Sequence, residues 1–116
     1  MAQYLILFYA EEAAWGALSP EELAAVPGQF DEFGKRNEAV ILGGNQLAPT
    51  TTATSIRGDG SGGFLVTDGA FVETKEALGG YYLIDVETLD EAIAVAKQVP
   101  NGVGGVEVRP ILDRGM

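Results

Sequence analysis

The 116-residue chain has no cysteine and no histidine. Without cysteine there is no disulfide, no thiolate metal site and no cysteine nucleophile. Without histidine the commonest general base, the commonest metal ligand and the usual proximal haem ligand are all missing. Any catalysis must run on Asp, Glu, Lys, Tyr, Arg or hydroxyl groups, or on a bound cofactor, and the sequence calls for no cofactor and no metal. Positive charge is also scarce: seven Lys and Arg face seventeen Asp and Glu, a net charge of -10. The basic residues form no cluster longer than Lys35-Arg36, so phosphate backbones and anionic membrane surfaces are poor partners. Long apolar runs are lacking too; none approaches the ~20 residues of a membrane span. The opening MAQYLILFYAEEAAW carries no basic residue before its apolar run and meets acids soon after it. It reads as a first strand rather than a signal peptide, and a cytoplasmic location is the expectation.

What is present fits a single domain over residues 1–116. QYLILFY (3–9) is a strand by its β-branched and aromatic content. Residues 10–18 form a connector carrying Trp15. In SPEE, Ser19 caps a helix, Pro20 suits its first position and Glu22 completes a capping box. Leu23, Val26, Phe30 and Phe33 give that helix a core-facing stripe ending near Asn37, with Pro27-Gly28 expected to kink or break it. AVILGGNQL (39–47) is a second strand. TTTATSIR, GDGSGG and FLVT (50–67) form a hairpin. GYYLIDV (80–86) is a strand, and Thr88 with Glu91 repeats the capping box before a helix lined by Leu89, Ala92, Ile93, Ala96 and Val99. VEVRPIL (106–112) closes the chain.

Without the hairpin the order is β-α-β-β-α-β, with SPEELAAV and TLDEAIAV at matching places in two halves. This predicts an α+β class protein: a ferredoxin-like antiparallel sheet with an inserted hairpin and two helices on one face. Strands one and three are central in that topology. Here both are apolar on both faces, yet helices cover only one. The uncovered face predicts either a homodimer of the dimeric α+β barrel kind, sheet packed on sheet, or a ligand cavity beneath the long connector, or both.

The candidate site lies in TDGAFVETKEALGGYYLID (67–85). Asp68, Glu73, Lys75 and Glu76, with Tyr81 and Tyr82 nearby, combine carboxylates and a lysine beside a glycine-rich turn, a set able to work as acid and base. In the structural reading of the same residues, Asp68-Gly69 makes a turn, Phe71 plugs the core, and the charges pair on the surface. Gly79-Gly80 permits close backbone approach or positive φ; because it leads into a strand, it is not a phosphate loop. Arg109 is a candidate clamp for a ligand carboxylate, or half of a surface ion pair. Trp15 lines a pocket, plugs the core or meets a partner. Arg57-Gly58-Asp59 reads as a turn, and GDGSGG has too few acids for a calcium loop.

VTDGAFVETKEALGGYYLIDV (66–86) resembles the signature of the YCII-related family in its DGPF-domain branch. The likeness extends over nearly the whole chain: the Y-L-I-L-F-Y strand, the acidic connector with tryptophan before Ser-Pro-Glu-Glu, TATSIR before the hairpin, and the closing VEVRPI. Asp68, Gly69, Phe71, Glu73, Lys75, Gly79, Gly80 and Tyr81 match the motif, and Arg109 matches the closing strand. The resemblance implies a bacterial cytoplasmic protein, a ferredoxin-like subunit of a dimeric α+β barrel, in a family whose biochemical function is mostly unassigned. It also implies links to extracytoplasmic-function sigma factors through gene neighbourhood, and, for some relatives, enzymes of small aromatic or halogenated compounds with a suggested histidine–aspartate centre. That centre does not transfer to a chain without histidine. Ala70 also replaces the motif proline and loosens the turn. The resulting expectation is a homodimer binding a small organic ligand, with Asp68 or Glu73 as base and Lys75 or Arg109 stabilising an anion if there is catalysis, and Tyr81, Arg109 and Trp15 as ligand contacts. The competing expectations are a non-catalytic regulatory module linked to such sigma factors and a histidine-independent lyase or isomerase acting on a small aromatic compound.

Overall fold

The computed structural model describes residues 2–69, 76–102 and 104–113. Glu73, Lys75 and Phe71, three of the residues singled out above, lie outside the described residues. The elements run β1 (Ala2–Ala10), α1 (Glu12–Gly16), α2 (Pro20–Arg36), β2 (Ile41–Gln46), a 3-10 turn (Thr50–Thr52), β3 (Thr54–Gly58), β4 (Phe64–Asp68), β5 (Ala77–Val86), α3 (Leu89–Ala96) and β6 (Gly104–Pro110). Four strands form an antiparallel sheet in the order β2-β5-β1-β6, and β3 pairs with β4 in a separate two-stranded sheet. This is the ferredoxin-like arrangement, with the two most apolar strands at its centre and the hairpin inserted between the halves.

Strand registry assigns the faces. Tyr4, Ile6 and Phe8 of β1 share a face with Tyr82 and Ile84 of β5 and Val108 of β6. These residues pack with Phe33 of α2 and Ala92, Val95 and Ala96 of α3 in one core cluster. Both helices therefore cover the same face, as the alternation of the strands requires. Leu5, Leu7, Tyr81 and Leu83 occupy the opposite face, outside that cluster. Leu7 is buried there, and the other three are half-buried.

The helix starts follow the sequence. The Ser19 hydroxyl accepts from the Glu22 amide at 3.1 Å, and the Glu22 carboxylate accepts from the Ser19 amide at 2.9 Å, closing the capping box. At α3 the Thr88 hydroxyl accepts from the Glu91 amide, but the Glu91 carboxylate takes the amide of Glu87 rather than that of the cap.

Three local expectations are corrected. The connector holds a short helix, α1. Helix α2 runs through Pro27 without a break. Proline removes the donor for the Leu23 carbonyl, but this part of α2 is exposed, so water can serve that oxygen. The core face of α3 is Ala92, Val95, Ala96 and then Val99, while Leu89 and Ile93 face outward. The i, i+3, i+4 pattern had two apolar solutions there, and packing on β5 and β6 selected the narrower one. Two buried asparagines tie the ends together. Asn37, which caps α2, donates to the Phe33 carbonyl and to Gln98, both at 3.0 Å. Asn101, past α3, donates to the carbonyls of Tyr9 (3.1 Å) and Gly105 (3.0 Å).

Candidate functional site

A cavity of about 310 Å³ opens at the end of the sheet where β1 leaves for α1. Its apolar walls include Phe8, Trp15, Phe30, Leu47, Pro49 and Leu78, and the side chains of Glu12, Gln46 and Asn101 add polar groups. Each wall has a local cause. The β1–β5 ladder shifts register between Phe8 and Tyr9, and such an irregularity re-aims side chains at a strand end. Phe8 sits in an aromatic row, 5.8 Å from Phe30 and 6.0 Å from Tyr82, while Tyr82 is 4.9 Å from Phe33. The Phe8 ring can lie flat against β5 because Gly80 has no side chain: a β-carbon there would run into the ring and come within 2.8 Å of the Asn45 carbonyl oxygen. Gly80 thus serves close approach, and neither glycine of the pair has a positive φ. Gly79 lines the cavity, and its carbonyl accepts from the Leu47 amide at 2.8 Å.

Glu12 is the sole carboxylate of the described lining. Its two oxygens accept from the Thr50 hydroxyl and, at 3.0 Å, from the Thr50 amide. These bonds, the hydroxyl one foremost, hold its carboxyl below the usual carboxylate range. Glu12 is thus a fixed anion that pins the 3-10 turn to α1, and a weak base. Burial, aided by the negative field of Asp31, pushes the Tyr82 hydroxyl above the usual phenol range.

The structure disperses the residues chosen from sequence. Trp15 and Gly79 line the cavity. Asp68 ends β4, exposed and opposite Thr54, on the two-stranded sheet. Gly69 follows with φ of +94°, the left-handed turn expected of Asp-Gly; its amide donates to the Ala53 carbonyl at 2.7 Å. Tyr81 is on the sheet face opposite the helices, its hydroxyl accepting from Asn45 at 3.1 Å. Arg109 is on that face too, paired with Glu107 of its own strand. Tyr81 and Arg109 flank β1 from opposite sides, facing Leu7 and Leu5. Sequence reasoning missed Phe8, Glu12, Phe30, Gln46, Leu47, Pro49, Leu78 and Asn101 as cavity residues. Phe8 and Phe30 looked like core, which in part they are, and nothing local in AEEAAW signals a bond to Thr50.

Among the described residues no group of three or more acidic side chains is placed to hold a metal ion, and no helix is long and apolar enough to cross a membrane.

Sheet order, helix placement and the end-of-sheet cavity define a ferredoxin-like α+β protein with an aromatic pocket. The chain belongs to the YCII-related family, whose domain model matches residues 2–114. It is 39% identical to an uncharacterised protein of Rhizobium meliloti (strain 1021), over 93% of this chain and 90% of that one.

Proposed function

We propose that the protein is a homodimer that binds a small, largely apolar organic ligand in the cavity at the end of β1. The observation that carries the ligand reading is the wall itself. Three aromatic rings, Phe8, Trp15 and Phe30, face a volume at the lower end of the range for small-molecule sites, with few polar groups among them. Among the polar side chains there, Glu12 is already bonded to Thr50, and Asn101 to two carbonyls. The interior therefore offers surface for apolar contact and little acid–base chemistry, which favours binding over catalysis.

The homodimer reading rests on the second sheet face. Leu5, Tyr81 and Leu83 are only half-buried there, and sheets of this kind bury such a face on another layer.

Trp15 is the chain's one tryptophan and lies on the cavity wall, so its fluorescence reports occupancy directly. A panel of small aromatic and alicyclic compounds should give at least one saturable change, and Ala48→Phe, which fills the cavity, should abolish it. Saturable binding unaffected by Ala48→Phe, or none across the panel up to millimolar concentration, would remove the ligand reading. Sedimentation of the wild type at micromolar concentration decides the dimer separately.

A further inference from the structure

We propose that the cavity at the end of β1 selects its ligand by charge: it takes a single apolar ring bearing a protonated amine and disfavours the matching carboxylate. The inference rests on the ligand reading above and names the chemical class that the same site accepts.

Charge in the described lining is of one sign. Glu12 carries it, and no Lys or Arg stands among the described lining residues. The charge also sits at the right depth. Glu12 is exposed, Trp15 and Phe30 are half-buried, and Phe8 is buried. A ligand lying along this gradient has its ring between aromatic side chains and its charged end beside Glu12, still in contact with water. An ammonium placed there keeps part of its hydration, so the heavy desolvation cost of an enclosed ion pair does not arise.

Glu12 is held in place and held ionised. The Thr50 hydroxyl donates to one oxygen and the Thr50 amide to the other. A carboxylate has about four acceptor sites, so each oxygen keeps capacity for an ammonium N–H. Both Thr50 bonds favour the charged form, and the carboxyl is an anion at neutral pH. A carboxylate fixed in advance costs the ligand little ordering on binding.

The rings reinforce the same choice. Glu12 and Trp15 are three residues apart on α1 and so share one side of it. Aromatic faces attract cations through their quadrupole, the indole most strongly. A carboxylate ligand meets the opposite situation. It faces Glu12 as a like charge, and the Asn101 side-chain amide is already committed to the Tyr9 and Gly105 carbonyls. The net charge of -10 adds a field of the same sign over the whole molecule. A cavity of about 310 Å³ is small for a ligand site, which suits one ring with a short chain.

The test is Trp15 fluorescence titration of the full chain with three compounds of similar shape: 2-phenylethylamine, 2-phenylethanol and phenylacetate, at neutral pH and low salt. The amine should bind about 10-fold tighter than the alcohol, the combined effect of one surface ion contact and one cation–π contact, and phenylacetate should bind weakest. Glu12→Gln keeps the size and the hydrogen-bonding capacity toward Thr50 and removes the charge. It should bring the amine-to-alcohol ratio down to about twofold, the cation–π share alone. Because the readout is a ratio, general loosening of the cavity cancels. Equal binding of amine and alcohol, phenylacetate bound as tightly as the amine, or a preference that survives Glu12→Gln overturns the charge selection and leaves the cavity reading standing. Binding of none of the three overturns it too, and the wider panel with Ala48→Phe then decides the cavity reading by itself. Should Glu12→Gln fail to fold, salt decides on the wild type: the amine preference should decay toward about 0.5 M sodium chloride, and a salt-independent preference overturns the inference.

Discussion

Gly80 of β5 lies directly against the ring of Phe8 on the neighbouring strand, leaving no space for a β-carbon. Gly80→Ala must displace an aromatic that belongs to both the core and the cavity. Overpacking of this kind costs about 1–3 kcal/mol. Gly79→Ala is the control: its β-carbon would meet its nearest neighbours at 3.8 and 3.9 Å, ordinary contact distances. Urea denaturation should separate the two adjacent substitutions, with Gly79→Ala within about 1 kcal/mol of wild type because it shifts nothing.

Asn101 is 7% exposed and serves two carbonyls, from β1 and β6. Asn101→Leu keeps the bulk and strands both oxygens. The expected loss is about 2 kcal/mol, read as a lower thermal midpoint. A midpoint unchanged within error would mean that these carbonyls find other donors.

The tie between Glu12 and Thr50 should fail in acid. Two Thr50 hydrogen bonds depress the Glu12 carboxyl, so the folded value lies below the unfolded one. The contact is then present above the ordinary carboxylate range and is lost as pH falls through the depressed value. The NMR shift of the Thr50 amide should titrate in that acid window. Glu12→Gln should flatten the curve, and a titration that survives the substitution would assign it to another group.

Tyr82 should ionise above the usual phenol range. Burial first and Asp31 second raise its hydroxyl. The neutral form is the one the fold favours, so its contribution is complete below the ordinary phenol value and is lost as pH rises through the raised one. Absorbance titration at alkaline pH should show a late step missing from Tyr82→Phe.

The Ser19 capping box offers a simpler check. Ser19→Ala removes an acceptor from the first turn of α2 and should cost about 1 kcal/mol. The effect should show in helical circular dichroism near the transition midpoint.

Much of this frame was legible because it is local or periodic. The capping box at Ser19 and the side-chain cap at Thr88 need only four consecutive residues, and the faces of β1 and β5 need only alternation. Sheet order followed from those elements and from both central strands being apolar on both sides. The cavity was not legible for the opposite reason. Glu12 meets Thr50 across 38 positions, and Asn101 meets Tyr9 across 92. Such partners are set by how the sheet end closes, which no short window records. Within the charged motif, Asp68 ends β4 of the hairpin before the turn at Gly69, while Tyr81 stands on the sheet face opposite the helices. Val95 taking the place of Ile93 in the core shows the same limit on a smaller scale.

The core and the cavity share Phe8 and, at the margin, Phe30, and otherwise draw on separate stretches of chain. Residues 46–49 and 77–79 wall the cavity without entering the core cluster. Substitutions there can reshape the pocket while the core of strands and helices stays as it is. Relatives can thus differ at the rim while keeping the frame, and family membership will predict the frame of each far better than the shape of its cavity.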